Sequence, residues 1–292
     1  MTDTLSRLDV QDFFRNLGQA RQSALLLDYD GTLASFRQNR GDAYPYPGVA
    51  DVLQEIMATG RTRVVLITGR RAPELIPLLN ITPHPEIWGT HGLERLHPDD
   101  TYERLPVDQD TLETLSAAAD WVKSLKVEHL VEHKPGSLAV HWRGLAEPEA
   151  DEVRRKVMLG WLSIADRSSL TVEQFDGGVE MRMATYNKGD ALQTVLAEMD
   201  FDAPVAYLGD DQSDEDAFQL LSDRGLTVLV RPEWRDTAAK LWLRPPVQLL
   251  SFFRDWLAAC EQVPFGRSTR WATDNDIGLR SDWGNDGQRP DR

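Results

Sequence analysis

Asp28 and Asp30 stand two residues apart in the run LLLDYDGTL, which begins at Leu25. An aspartate delivered by an apolar run can attack phosphorus and form an acyl phosphate. A second carboxylate beside it can protonate the departing oxygen and then activate water. Gly31 permits the turn that follows Asp30. An isolated Asp-Gly pair is an ordinary turn after a strand. The full D-x-D-G-T-L pattern behind an apolar strand asks for more than a turn.

Three further elements fit phosphoryl chemistry. VVLITGR, from Val64, places Thr68 and the amides near Gly69 after a second apolar run, where a hydroxyl and N–H groups can hold a phosphoryl oxygen. NKGDAL, from Asn187, puts Lys188 at a helix start, where an ammonium can neutralise the phosphoryl group and the aspartate together. YLGDDQSDEDAF, from Tyr207, crowds Asp210, Asp211, Asp214, Glu215 and Asp216 behind a third apolar run. Such crowding is unfavourable without a cation or full solvation. Asp214 also suits a helix N-cap, with Glu215 and Asp216 favoured by the helix dipole. Asp210, with Asp211 or Asp214, would serve the cation. Oxygen ligands alone point to magnesium.

These groups need a scaffold that brings separate strand ends together. From Ser23 to about Ile81 the pattern alternates: a strand at Ala24–Leu27, a helix from Val49, a strand at Arg63–Ile67, then a helix. The same grammar returns late: a helix from Lys188 to Met199, strands at Val205–Leu208 and Leu226–Val230, and helices at Glu215–Leu221 and Pro246–Cys260. Alternation of this kind predicts a parallel sheet with helices on both faces. In such sheets ligands sit outside the carboxyl ends of the strands.

The middle reads differently. Helices are expected at Thr111–Val127 and Glu149–Ile164. Hairpins are expected around Pro135-Gly136, flanked by Leu130–Glu132 and Leu138–Trp142, and around Gly177-Gly178, flanked by Leu170–Gln174 and Val179–Met183. This is a small α+β domain set into the parallel-sheet domain. Trp121, Trp142 and Trp161 are assigned to its core. Residues 1–103 and 184–262 are expected to form the catalytic core, 104–183 the insert, and 263–292 a polar, disordered tail.

The 292-residue chain has ample apolar content, 41%, for such a core. Its net charge of −15 and lack of a basic stripe argue against a nucleic-acid partner. The acidity also requires positive groups between an anionic substrate and the carboxylates. No apolar run suits a membrane span, and the N-terminal residues do not read as a signal peptide. Cys260, the single cysteine, excludes a disulfide framework, which fits a reducing, cytoplasmic compartment; a monomer is expected, though no sequence feature bears on oligomeric state. His91, His133 and His141 lack the spacing of a helical zinc site.

In order and in placement, the four elements resemble the haloacid dehalogenase superfamily of phosphatases. GTHGLE from Gly89, EHKPGSLAVHWR from Glu132, GGVEMR from Gly177 and GDDQSDEDAF from Gly209 resemble trehalose-6-phosphate phosphatases more narrowly. The resemblance covers about Ala24 to Leu249 and implies a Rossmann-like α/β core with an α+β cap domain. It makes Asp28 the nucleophile and a magnesium ligand, and Asp30 the acid/base, lending its carbonyl to the metal. Thr68 and Lys188 would hold the phosphoryl group. Asp210 would complete the metal site, with Asp211 and Asp214 behind it. Glu132, Lys134, Arg143 and Glu180 would meet the sugar hydroxyls, with Arg70 and His91 at the core–cap boundary. Glu132 and Lys134, two apart on a strand, share a face. Ser213 replaces the threonine of many members and keeps the hydroxyl. The implied substrate is trehalose 6-phosphate. Glucosylglycerol phosphate, sucrose phosphate and mannosylglycerate phosphate are the alternatives. A phospho-receiver domain is the reading from another class, but the second aspartate and the insert oppose it.

Overall fold

The computed structural model describes residues 7–175, 177–261 and 278–279. Its larger sheet is built on β1 (Ser23–Leu27), β2 (Thr62–Ile67), β3 (Glu86–Gly89), β4 (Glu94–Leu96) and β5 (Tyr102–Arg104) from the first part of the chain. The smaller sheet uses β6 (Val131–Lys134), β7 (Ser137–His141), β8 (Leu170–Phe175) and β9 (Gly178–Met183). The chain then returns to the larger sheet with β10 (Val205–Gly209), β11 (Leu226–Val230), β12 (Leu241–Leu243) and β13 (Gly278–Leu279). The order is β13-β12-β11-β10-β1-β2-β3-β4-β5. The run from β12 to β3 is parallel, and β4, β5 and β13 add antiparallel edges.

β1, β10 and β11 are buried along their whole length. Their unbroken apolar sequences suit strands covered on both faces. Leu25 and Leu27 join one core cluster, Ala24 and Leu26 another, as the period of two requires. The first cluster is covered by α1 (Arg7–Gln19), α2 (Val49–Ala58), α3 (Ala72–Leu79) and α8 (Val247–Cys260). The second is covered by α6 (Lys188–Ala197) and α7 (Glu215–Leu221). β1 is followed in sequence by β2 on one side, while β10 lies on the other, so the topology reverses at β1. That reversal opens a crevice at the carboxyl ends of β1, β2 and β10.

The second sheet, order β6-β7-β9-β8, packs one face on α4 (Gln109–Ser124) and α5 (Glu147–Ala165). Leu138, Val140, Val179 and Met181 point into that core with buried Trp161, and Trp121 and Trp142 pack at its border. Ser137, Glu180 and Arg182 alternate with them and belong to the opposite face. Both expected hairpins form. α1 and β3, β4, β5 and β12 are additional to the sequence expectation. In α1 the signal was legible, since Val10, Phe14 and Leu17 make a buried stripe. β4 and β5 have three residues each, and β5 is exposed, so neither carries a usable period. The expected tail lies outside the described residues except at β13, whose backbone pairs with β12. Among the described residues no helix is long and apolar enough to cross a membrane.

Candidate functional site

Asp28 is the first residue beyond β1, Thr68 the first beyond β2, and Asp210 the first beyond β10. The parallel register continues into them: Asp28 N–H donates to Leu208 O and Thr68 N–H to Trp88 O. Lys188 opens α6, whose start is fixed by a reciprocal Asn187–Asp190 capping box. Four separate segments thus converge on one point.

Lys188 Nζ donates to Asp28 Oδ1 at 2.7 Å and to Asp214 Oδ1 at 2.8 Å, and all three side chains are buried. Burial disfavours the Lys188 ammonium, but Asp214 and Asp28 outweigh it and hold its pKa well above the ordinary value. Burial pushes the Asp28 carboxyl up to about 7, with Lys188 opposing and Asp214 reinforcing the rise. Asp210 is driven up by burial and then by Asp211, Asp28 and Asp214. Its carboxylate accepts no hydrogen bond among the described residues. Gly31, at φ 88°, makes room for it: a Cβ there would lie 2.1 Å from Asp210 Oδ2.

Carboxylate oxygens of Asp28, Asp210 and Asp214 approach within 4.8 Å of one another, an acidic group able to hold a metal ion. Their donor positions differ, however. Asp214 accepts from Lys188, from Tyr207 OH at 2.8 Å, and from the N–H groups of Asp210 and Asp211 at 3.0 and 3.1 Å. Four protein donors occupy its lone pairs. Asp28 Oδ2 accepts only a 3.2 Å bond from Thr32. Asp28 and Asp210 therefore fit a hard cation best. Asp211 accepts from Ser213 N–H and Oγ at 2.8 and 2.6 Å and caps the short turn Gln212–Asp214. The expected side-chain cap from Asp214 to α7 does not form, because that carboxylate turns back to Lys188. Arg235 clamps the loop from behind, donating to Asp210 O at 3.1 Å and to Glu215 Oε1 at 2.6 Å.

Asp30 faces another way. Arg70 grips it with two 2.6 Å bonds, from Nε and Nη2 to its two oxygens. Between this floor and the second sheet lies a cavity of about 440 Å³. Asp28, Asp30, Thr68, Arg70, His91, Lys134, Arg143, Glu180, Lys188, Asp210 and Asp211 all line it. Arg37, Arg40 and Arg182 also face it, which supplies the positive charge that the acidic chain requires. Glu132 lies apart. It faces a neighbouring cavity and pairs with Arg40 and, at 2.7 Å, with His141. Burial opposes ionisation of Glu132, but His141, Lys134 and Arg40 hold its pKa at about 2. Glu180 binds Lys134 Nζ at 2.6 Å, Ser137 Oγ at 2.6 Å and His91 Nε2 at 3.1 Å. Despite burial, Lys134 and His91 hold its carboxyl well below the usual range. His133, exposed on β6, and His141 do not join His91 in a metal site among the described residues.

The family model for trehalose-phosphatase matches residues 26–241 of this chain. The chain belongs to the trehalose-phosphatase family. The trehalose-phosphate phosphatase of Mycobacterium tuberculosis is 30% identical over 246 residues, covering 80% of this chain and 61% of that protein. The chain thus spans about three fifths of the length of the mycobacterial relatives it matches. The C-terminal domain of the C. albicans trehalose-6-phosphate phosphatase superposes with a TM-score of 0.73, at 20% identity, covering 88% of this chain and 98% of that domain. A haloalkanoate (HAD) superfamily phosphatase from Bacteroides thetaiotaomicron gives 0.57 at 15% identity, covering 80% and 95%. At these identities the structures establish the fold, a Rossmann-like α/β core of the HAD type.

Several cavity and loop residues of this family member were not singled out from sequence. Thr32 was legible, since it sits inside the first motif. Tyr207, an aromatic in an apolar strand, gave no sign that its hydroxyl reaches Asp214. Arg40 and Arg235 lie in loops without periodicity, and only the fold brings them to the site.

Proposed function

We propose that this protein hydrolyses trehalose 6-phosphate to trehalose and phosphate. The observation that carries the reading is the convergence of Asp28, Lys188 and Asp210 at the topological reversal, beneath a cavity rich in cationic side chains. The names of the relatives support the choice of sugar.

In the first step an Asp28 carboxylate oxygen attacks phosphorus. The bond from phosphorus to the sugar oxygen breaks, and that oxygen takes a proton from Asp30. In the second step Asp30 removes a proton from water, the water oxygen attacks phosphorus, and the bond to Asp28 breaks to release phosphate. Lys188 keeps Asp28 oriented and neutralises charge at the phosphoryl group. Thr68 supplies a hydroxyl at the neighbouring strand end. Asp28 and Asp210, with the Asp30 carbonyl that the family resemblance implies, would hold magnesium. When bound, that ion supplies charge compensation to the phosphoryl oxygens. Asp211 and Asp214 act behind these ligands by fixing the loop. Lys134, Arg143 and Glu180 meet sugar hydroxyls, each offering several donors or acceptors. Glu132, held by Arg40 and His141 at the edge of the cavity, joins them.

Phosphate release across a panel of phosphosugars, with and without magnesium, tests the reading. Trehalose 6-phosphate should be the best substrate. Faster turnover of sucrose phosphate, glucosylglycerol phosphate or mannosylglycerate phosphate would move the substrate while leaving the chemistry. No turnover of any of them would end the proposal.

A further inference from the structure

We propose that Arg40 is a positioning residue for Asp30, tying the orientation of that carboxylate to the seating of the four-stranded sheet. The inference rests on Asp30 being the proton donor and acceptor of the proposed reaction.

A continuous path of polar contacts joins the two. Glu132, on β6, accepts from the Arg40 guanidinium. The main-chain carbonyl of Arg40 accepts from Arg70 Nη1 at 2.8 Å. The other two donors of that fork, Nε and Nη2, are both spent on Asp30. The Arg70 side chain is almost fully buried, at 3% exposure, so its contacts leave it little freedom. Arg40 thus touches the second sheet with its side chain and the Asp30 holder with its backbone.

The segment between these contacts is short and braced. Arg40–Asp42 is a 3₁₀ turn. Asn39 closes it, accepting from Gly41 N–H at 3.1 Å and donating to Asp42 at 2.9 Å. Its far end is pinned where Tyr29 OH donates to Ala43 O at 2.6 Å. The Arg70 guanidinium lies 5.4 Å from the centre of the Tyr29 ring. A displacement of the Arg40 side chain is therefore carried into its carbonyl rather than absorbed by a loose loop.

With both oxygens in the Arg70 fork, Asp30 keeps one orientation on the cavity wall. His141 shares the same Glu132 oxygen at 2.7 Å, so Glu132 keeps a hydrogen-bond partner when the Arg40 side chain is removed. Arg40, Arg70 and His141 line both the main cavity and its neighbour, so the Arg40–Glu132 pair stands where a sugar entering the cavity would meet it. Losing the Arg40–Glu132 contact would loosen the fork and let Asp30 drift from that orientation, which slows proton transfer.

A double-mutant cycle on the full chain with magnesium tests this. Wild-type turnover of trehalose 6-phosphate, and its collapse in Asp30→Asn, must come first. Failure there would remove the functional reading, not this link. Arg40→Ala should then lower kcat for trehalose 6-phosphate by about 10-fold, with KM changed about twofold or less. The loss should be smaller for nitrophenyl phosphate, whose leaving group needs no proton. In the Asp30→Asn background Arg40→Ala should cause no further loss. Glu132→Gln should reproduce part of the effect, and Arg40→Lys, which keeps a charge for Glu132, should recover part of kcat. Equal losses in both backgrounds, or a change confined to KM, would overturn the proposal and make Arg40 a direct substrate contact or a structural residue. If Arg40→Ala fails to fold by circular dichroism, Glu132→Gln in the two backgrounds decides the matter alone.

Discussion

The carboxyl edge of the parallel sheet and the cavity face of the four-stranded sheet carry similar charges under different conditions. At the sheet edge, Asp28, Lys188, Asp210 and Asp214 are all buried, and the carboxylates outnumber the cation. On the smaller sheet, Glu180 pairs with Lys134 and His91, and Glu132 with Arg40 and His141. The first cluster is electrostatically incomplete and the second is satisfied. An incomplete buried cluster suits a site that completes itself with a cation and an anionic ligand. A satisfied cluster suits one that exchanges internal partners for a polyhydroxylated ligand.

The largest expected effect is at the incomplete cluster. Asp28→Asn should lower kcat by on the order of 10⁴-fold or more, because Asn is close in shape but not nucleophilic. Circular dichroism should show the fold unchanged. Substantial turnover by this variant would break the contrast at its centre.

Metal removal probes the same cluster through stability. A carboxyl pushed up to about 7 in the folded state stabilises at low pH. That contribution is complete below its unfolded value near 4 and is lost as pH rises through about 7. Chelated protein should therefore melt lower at pH 8 than at pH 6 by this contribution, and magnesium should reverse the trend. Magnesium affinity by calorimetry should strengthen over the same interval, since binding requires the deprotonated carboxylate. Activity should vanish with chelator and return poorly with calcium, whose looser geometry would misplace the attacking oxygen. Full turnover in chelator would remove the metal from the reading.

The satisfied cluster should respond by substrate. Glu180→Ala should cut kcat/KM for trehalose 6-phosphate by about 100-fold and that for nitrophenyl phosphate by much less. It should also cost about 3 kcal/mol or more of stability, because Lys134 is left buried without its partner. Parallel losses on both substrates would mean that Glu180 acts only by seating the second sheet on the core. The smallest effect belongs to an exposed pair: Asp151→Ala should change stability by about 0.5 kcal/mol or less, as its contact with Arg154 is largely solvated.

The floor of the site was legible in sequence because each of its groups follows an apolar strand or opens a capped helix. Asp28, Thr68, Lys188 and Asp210 are such cases, and the strands beneath them announced themselves by continuous burial-type sequences. Both hairpins of the smaller sheet were legible from Pro135-Gly136 and Gly177-Gly178. The shared face of Glu132 and Lys134 followed from the strand period. Partner choice was not legible. Period two places both side chains on one face, but only the packing sends Lys134 to Glu180 and Glu132 to Arg40.

Local sequence by itself determined the element types, the sheet class and the residues fit for phosphoryl chemistry, because these depend on periodicity, turn chemistry and side-chain type. Tertiary structure alone decided that Asp214 serves Lys188 and Tyr207 rather than capping α7, and that Asp30 rests in the Arg70 fork. It also decided that Arg40 joins the two sheets. These outcomes are choices among several nearby partners of suitable charge. Coulomb attraction is not specific to sequence distance, so the winner is fixed by which side chains the folded backbone brings within about 3 Å.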